Sequence, residues 1–203
     1  MRPTPIYNLV AVVSWPLLYG VFRLRARGTE NLPPGGFVLA SNHFSSLDPW
    51  PLGLPLWPKR FLRFMAKSEL YWWPLTIILN GAGAFPVRRG QRDMEAIERA
   101  VELAREGHVV TMFPEGTRRT KGLVKRFQAR PHSGAARIAL EAGVPLVPAA
   151  VRGTDSLARL SRLRVAYGAP VELDDLRDRE PSAAAREATE RLMARIAELE
   201  ASL

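Results

Sequence analysis

The chain has 203 residues, 47% of them hydrophobic, and no cysteine. That is the size of one compact domain, and it excludes disulfides, thiolate nucleophiles and cysteine-based metal sites. The net charge of +9 is lopsided: residues 1–89 carry ten Lys/Arg against three Asp/Glu, and also all five tryptophans, Trp15, Trp50, Trp57, Trp72 and Trp73.

Tryptophan combined with positive charge is the composition of a surface that meets anionic headgroups. No zinc-finger, helix-turn-helix or RRM pattern accompanies the charge, so no nucleic-acid partner is expected. Three histidines (His43, His108, His132) without an HExxH spacing argue against a zinc centre.

In chain order, Ile6 to Phe22 is apolar, about 17 residues long, the lower edge of a membrane span. Pro16 would kink it as a helix, and Arg23, Arg25 and Arg27 follow. The reading is a helix lying in one leaflet with its arginines among the headgroups; the alternative is an ordinary core helix. Residues 1–30 are therefore expected to be a membrane-docking segment and 31–203 the globular domain.

Phe37 to Ala40 reads as a buried strand, followed by Asn42-His43 and, after Asp48, a short helix started by Pro49. Phe61 to Ala66 is a second strand, and Ser68 caps a very apolar helix running to about Asn80. Gly83 to Val87 is a third strand, leading to a helix over Arg92–Glu106 that Gly107 stops. Val109 to Phe113 is a continuous apolar run, the mark of a strand buried on both faces. A helix over Ser133–Ala142, strands over Val144–Val151 and Arg162–Gly168, and an amphipathic helix over Ser182–Leu203 complete the chain. Strands alternating with helices give an α/β fold, a single domain with a largely parallel central sheet flanked by helices, plus the N-terminal membrane-associated apolar helix.

Four stretches carry chemistry. His43 and Asp48 stand five apart in a turn at a strand's carboxyl end, where a carboxylate can fix one imidazole nitrogen as donor and leave the other to take a proton. The alternative is a structural histidine with Asp48 capping the next helix. Ser45 and Ser46 lie in no GxSxG elbow, which argues against a serine hydrolase. Arg88-Arg89-Gly90, where a strand meets the start of a helix, places two guanidinium groups beside helix N–H groups, a pattern suited to phosphate. In Phe113-Pro114-Glu115-Gly116-Thr117-Arg118, Gly116 permits a tight turn, Thr117 offers a hydroxyl, Arg118 a bidentate clamp and Glu115 a carboxylate. By itself it also reads as a turn with a local ion pair. The prolines of Val144-Pro145-Leu146-Val147-Pro148 suggest a sheet edge, a bulge or a wall beside a ligand.

Together and in this order the four resemble the glycerolipid acyltransferases, typified by the 1-acyl-glycerol-3-phosphate (lysophosphatidic acid) acyltransferases. NH-x4-D matches Asn42, His43 and Asp48; a glycine, apolar residues and an arginine match Gly83 to Arg89; FPEGTR matches Phe113 to Arg118; VPxxP matches Val144, Pro145 and Pro148. The resemblance implies transfer of an acyl group from acyl-CoA or acyl-carrier protein to the free hydroxyl of a lysophospholipid, giving phosphatidic acid. His43 would be the base and Asp48 its orienting charge, with no acyl-enzyme. Arg89 and Arg118 would bind the acceptor phosphate, with Glu115, Gly116 and Thr117 positioning the glycerol end; Asn42, Arg88 and Pro145 are further candidates for substrate contact. No cofactor or metal is implied beyond the acyl thioester as co-substrate. The expected setting is a monotopic protein on the cytoplasmic face of the cell membrane. The competing readings are the same transfer onto glycerol-3-phosphate, another lysolipid or a glycolipid, and a non-catalytic membrane-binding protein of the same fold. Three positions depart from the family pattern: Arg88, where Asp or Asn is common; Arg119, where Ser is common; and His132-Ser133-Gly134, where many members carry a lysine-glycine step. These bear on the acceptor and not on the reaction type.

Overall fold

The computed structural model describes residues 3–88, 93–118, 120–121, 125–126 and 131–203. Helix α1 (Pro5–Pro16) opens the chain, capped by the Thr4 hydroxyl, which accepts from Tyr7 N at 3.0 Å. Proline 16 has no N–H for the next helical bond, and directly after it the helix widens into a π-turn, Leu17–Val21, instead of breaking. Strand β1 (Arg25–Arg27) follows, then β2 (Phe37–Ser41), α2 (Pro49–Gly53), β3 (Leu62–Lys67), α3 (Leu75–Gly81) and β4 (Ala84–Val87). The second half holds α4 (Met94–Arg105), β5 (Val109–Met112), the small hairpin of β6 (Thr120–Lys121) and β7 (Lys125–Arg126), α5 (Gly134–Ala142), β8 (Leu146–Arg152), β9 (Arg164–Tyr167) and α6 (Pro181–Ala201).

Seven strands form one sheet in the order β1-β9-β8-β2-β5-β3-β4. Every pairing is parallel except β8 with β9. The expected α/β fold with a mostly parallel, helix-flanked sheet is the fold observed. Strand β2 lies near the middle and is buried at all five residues, which explains its unbroken apolar sequence. Its alternating side chains feed two cores. Val38 and Ala40 join α4, α5 and α6 on one face, whereas Phe37 and Leu39 join Ala11 and Leu18 of the N-terminal helix and Leu52 of α2 on the other.

Three sequence expectations are corrected. The apolar helix placed over Ser68–Asn80 starts only at Leu75, because Pro74 disfavours helical geometry at Trp73; Ser68–Leu70 is a separate 3-10 turn. The helix placed from Arg92 starts at Met94, where Asp93 caps it by accepting from Ala96 N at 3.1 Å. Residues 25–27, placed in the docking segment, pair with β9 as an edge strand of the sheet. Their alternation sends Leu24 and Ala26 into the core beneath α1 and turns Arg27 the other way, where it donates to Ser202 O at 3.0 Å beyond the end of α6. Arg25 and Arg27 thus lie on the face opposite α1 and not beside it.

Candidate active site

The chain leaves β2 at its carboxyl end, beside the ends of β5 and β8, and turns back within seven residues. Asn42 holds this exit. It is 1% exposed; its amide Nδ2 donates to Val151 O at 2.9 Å, and its Oδ1 accepts from Val151 N at 2.8 Å. The last β2–β8 pair is Ser41 with Ala149, so the Asn42 side chain continues the ladder one step as a substitute peptide group. All of its pairing capacity toward β8 is used in this way. The structure therefore makes Asn42 a fastener of the turn.

His43 and Asp48 are both buried, and Nδ1 of His43 lies 2.7 Å from Asp48 Oδ2. The same carboxylate oxygen accepts from Phe44 N at 2.7 Å and Ser45 N at 2.9 Å. A carboxylate oxygen only accepts, so the contact assigns the proton to Nδ1 and leaves Nε2 as the basic nitrogen. Asp48 does precede α2, but its side chain makes no capping bond to that helix, so the alternative reading of the motif as a simple helix cap is not what forms. Its second oxygen, Oδ1, is buried and finds no hydrogen-bond partner among the described residues. Part of the carboxylate's negative field is thus left to stabilise an imidazolium. Phe113, at the end of β5, stacks on the His43 ring at 4.1 Å between centroids and 21° between planes, fixing its rotation.

Phe113 also begins the second expected stretch, so the stack joins two motifs 70 positions apart. Gly116 N donates to Phe113 O at 2.9 Å and Thr117 N to Glu115 O at 2.7 Å, closing a tight turn. Gly116 takes φ +65°, and a Cβ there would come within 2.5 Å of the His132 ring. His132 is held over the turn by its own N–H, which donates to Pro114 O at 2.7 Å. Glu115 is buried, Thr117 half-buried and Arg118 exposed.

The remaining expected contacts are less closely gathered. Arg88 is exposed; its backbone N–H donates to Asp93 Oδ2 at 2.7 Å and its guanidinium pairs with Glu95 at 3.2 Å. Asp93 therefore already serves the helix start where phosphate was expected. Arg89 lies outside the described residues. Pro145 stands at the opposite end of the sheet from His43: its carbonyl accepts from Val38 N at the beginning of β2. It walls no ligand near the imidazole. Pro148 belongs to an interior strand, not an edge, and is tolerated because its carbonyl faces Gly168 N just where β9 has ended, so no ladder donor is required there.

An apolar cleft of about 210 Å³ adjoins the His43–Asp48 turn. Ser46 and Leu47 of that turn form one wall, and Tyr7 and Ala11 of α1, Trp50 of α2, and Phe64 of β3 form others. Tyr7 is kept neutral, its phenol pushed up to about 12 by burial, with Leu62 N–H donating to its oxygen at 3.4 Å. Sequence reasoning missed this cleft because its lining comes from distant segments whose residues each look like ordinary core. It also missed the Phe113 stack and the position of His132, which depend on pairing β2 with β5.

The family model described as acyltransferase matches residues 23–152. The chain belongs to the acyltransferase family. A 1-acyl-sn-glycerol-3-phosphate acyltransferase of Bacillus subtilis (strain 168) is 34% identical over 182 residues, covering 86% of this chain and 86% of the relative. A probable enzyme of the same name from Mycoplasma pneumoniae is 33% identical over 179 residues, covering 81% of this chain and 63% of that one. The crystal structure of the 1-acyl-sn-glycerophosphate (LPA) acyltransferase PlsC from Thermotoga maritima superposes with a TM-score of 0.65 at 25% identity, over 96% of this acyltransferase and 78% of PlsC. This acyltransferase is an O-acyltransferase with the α/β fold of PlsC.

Proposed function

We propose that this acyltransferase moves a fatty acyl group from an acyl thioester to the free hydroxyl of 1-acyl-glycerol-3-phosphate, forming phosphatidic acid at the cytoplasmic face of a membrane. The observation that carries the reading is the buried His43–Asp48 pair, with Nε2 left basic, on the same turn that walls the apolar cleft. The names borne by the relatives support the acceptor.

Nε2 of His43 takes the proton of the acceptor hydroxyl as its oxygen attacks the thioester carbonyl. The C–O bond forms, the C–S bond breaks, and the imidazolium returns its proton to the departing thiolate. Asp48 steadies the imidazolium, and the cleft receives the acyl chain. The exposed Arg118 at the Gly116 turn, together with Arg89, would clamp the acceptor phosphate, while Glu115 and Thr117 orient the glycerol end.

The surface supports docking to lipid. Val13, Trp15, Trp73 and Ile77 are exposed at 67%, 52%, 80% and 54%, and α1 and α3 pack against each other, so one apolar face runs across both. Among the described residues no helix is long and apolar enough to cross a membrane, and the proposed mode is monotopic.

The deciding experiment measures thiol release by the purified protein with acyl-CoA or acyl-carrier protein. The acceptors are lysophosphatidic acid, glycerol-3-phosphate, other lysolipids and glycolipids. The expected result is a kcat/KM highest for lysophosphatidic acid. A higher value for another acceptor replaces the acceptor assignment, and no thiol release with any of them overturns the reading.

A further inference from the structure

Five arginines gather where α1 joins the sheet, at the end of the strands where His43 lies. Registers place Arg25 of β1 opposite Arg164 of β9, and Arg164 opposite Arg152 of β8. Register partners share a face, so the three form a row across adjacent strands, which lie about 4.8 Å apart. Arg23 and Arg162 flank it in sequence. Arg152 follows Val151 directly, the residue clasped by Asn42, so the row begins beside the His43 turn.

Like charges opposite one another destabilise a sheet. Among the described residues they also go without a carboxylate partner. The ion pairs of the described residues engage other arginines, Arg177, Arg179, Arg191 and Arg195 among them, and none joins a row member or its flanking arginines to a carboxylate. Arg164 instead donates to the carbonyls of Arg23 at 3.1 Å and Leu163 at 2.9 Å. Its guanidinium is held below the usual arginine range by desolvation first, then by Arg25 and Arg162. Arg25 and Arg152 are exposed.

The face matters as much as the charge. Leu24, Val151 and Val165 enter the core beneath α1, so by alternation the arginines point to the other side of the sheet, the side of α6. The apolar surface of α1 and α3 is on the first side. A protein docked on lipid by that surface turns the arginine row toward water, where a soluble acyl donor arrives. The row is flat and spans roughly 10 Å over three strands, a footprint matched to an acidic helix and too wide for one phosphate.

We infer that the row Arg25–Arg164–Arg152 is the docking surface for an acidic acyl-carrier protein, which delivers its thioester to His43 around the end of β8. The inference rests on the acyl-transfer reading and specifies its donor.

The test compares palmitoyl-acyl-carrier protein with palmitoyl-CoA, each with the same lysophosphatidic acid, for the wild type and for Arg25→Glu, Arg152→Glu and the corresponding Ala variants. Fluorescence anisotropy of labelled carrier protein on the detergent-solubilised enzyme measures docking without turnover. Expected is a KM for the carrier donor raised at least about tenfold by each Glu variant and less by Ala, with kcat and all palmitoyl-CoA constants unchanged, because surface charges act on encounter. Wild-type docking should also weaken steeply between low and high salt. The inference is overturned by a carrier KM that does not move, or by a wild type that uses palmitoyl-CoA alone. An equal rise in the palmitoyl-CoA KM would assign the arginines to the CoA phosphates, and loss of liposome binding at constant carrier KM would assign them to lipid; either also overturns it. A wild type that turns over neither donor defeats the functional reading, and anisotropy still decides the docking.

Discussion

His43 works only as part of a fixed unit: Asp48 Oδ2 collects three donors, and Phe113 stacks on the ring. Replacing His43 by Ala should lower kcat by about 10²–10⁴, the contribution of one general base. Adding Asp48→Asn should cost little more, since the two act together. Substantial turnover by a well-folded His43→Ala variant would refute the mechanism. Asn42 gives a different signature. In Asn42→Ala the buried N–H and C=O of Val151 are both left unpaired, each at about 1–3 kcal/mol. Thermal unfolding should show that loss, and kcat should fall as the turn loosens while the acceptor KM stays constant; a raised KM with unchanged stability would return Asn42 to substrate contact. His108 governs a pH effect. Burial first, then Arg63, holds its imidazole below the ordinary value of 6.5, against a smaller opposing effect of Glu106. The unfolded chain therefore binds the proton more readily, and stability present above about 6.5 is lost as pH falls below it, by at most about 1.4 kcal/mol per pH unit. His108→Phe, beside the Phe61 ring, should flatten that limb of urea midpoint against pH, and an unchanged slope would contradict it.

At the scale of elements, the cleft is a junction: α1 lies over β3, α2 closes one end, and the His43–Asp48 turn supplies a wall. Ala82, just beyond α3, lines it too. Ala82→Leu should fill part of about 210 Å³ and move the preference toward shorter acyl donors, read as the ratio of kcat/KM for C16 to C8 thioesters. A ratio unchanged from the wild type would place the chain elsewhere. Gly53 sets another limit, since a Cβ there would lie 2.8 Å from the Tyr7 hydroxyl, so Gly53→Ala should push the Tyr7 side chain aside and reshape that wall of the cleft.

For the whole molecule, the two faces of the sheet are given to different surroundings. The α1 side carries the exposed Val13, Trp15 and Ile77, and the α6 side carries the arginine row. Deleting the N-terminal segment would be a poor test of docking, because Ala11 and Leu18 are core residues and β1 is a strand of the sheet. Val13→Asp with Trp73→Ala removes two of the most exposed apolar groups without touching the core. Sedimentation with liposomes should show binding weakened at least about tenfold, as expected for an acidic residue placed at an apolar contact. Turnover of a short-chain, water-soluble lysophosphatidic acid should persist. Undiminished liposome binding by the double variant would remove the α1–α3 face from membrane docking.

The sequence by itself determined the α/β class, most of the strands and the pairing of His43 with Asp48. Each of these rests on short-range regularities: an unbroken apolar run for β2 and β5, helical spacing in α4 and α6, and four residues between a base and its carboxylate. It misplaced the start of the helix before β4, where Pro74 outweighed the apolar run. It also read Pro145 as the neighbour of a ligand, because motif membership says nothing about which end of the sheet a residue occupies. Only the tertiary structure decided that Asn42 fastens β2 to β8, that Phe113 rests on the His43 ring, and that segments from α1, α2 and β3 enclose one cleft. The same holds for the arginine row, whose members are scattered over 140 positions of chain. Strand order and register bring them together, and no local pattern of residues encodes either one.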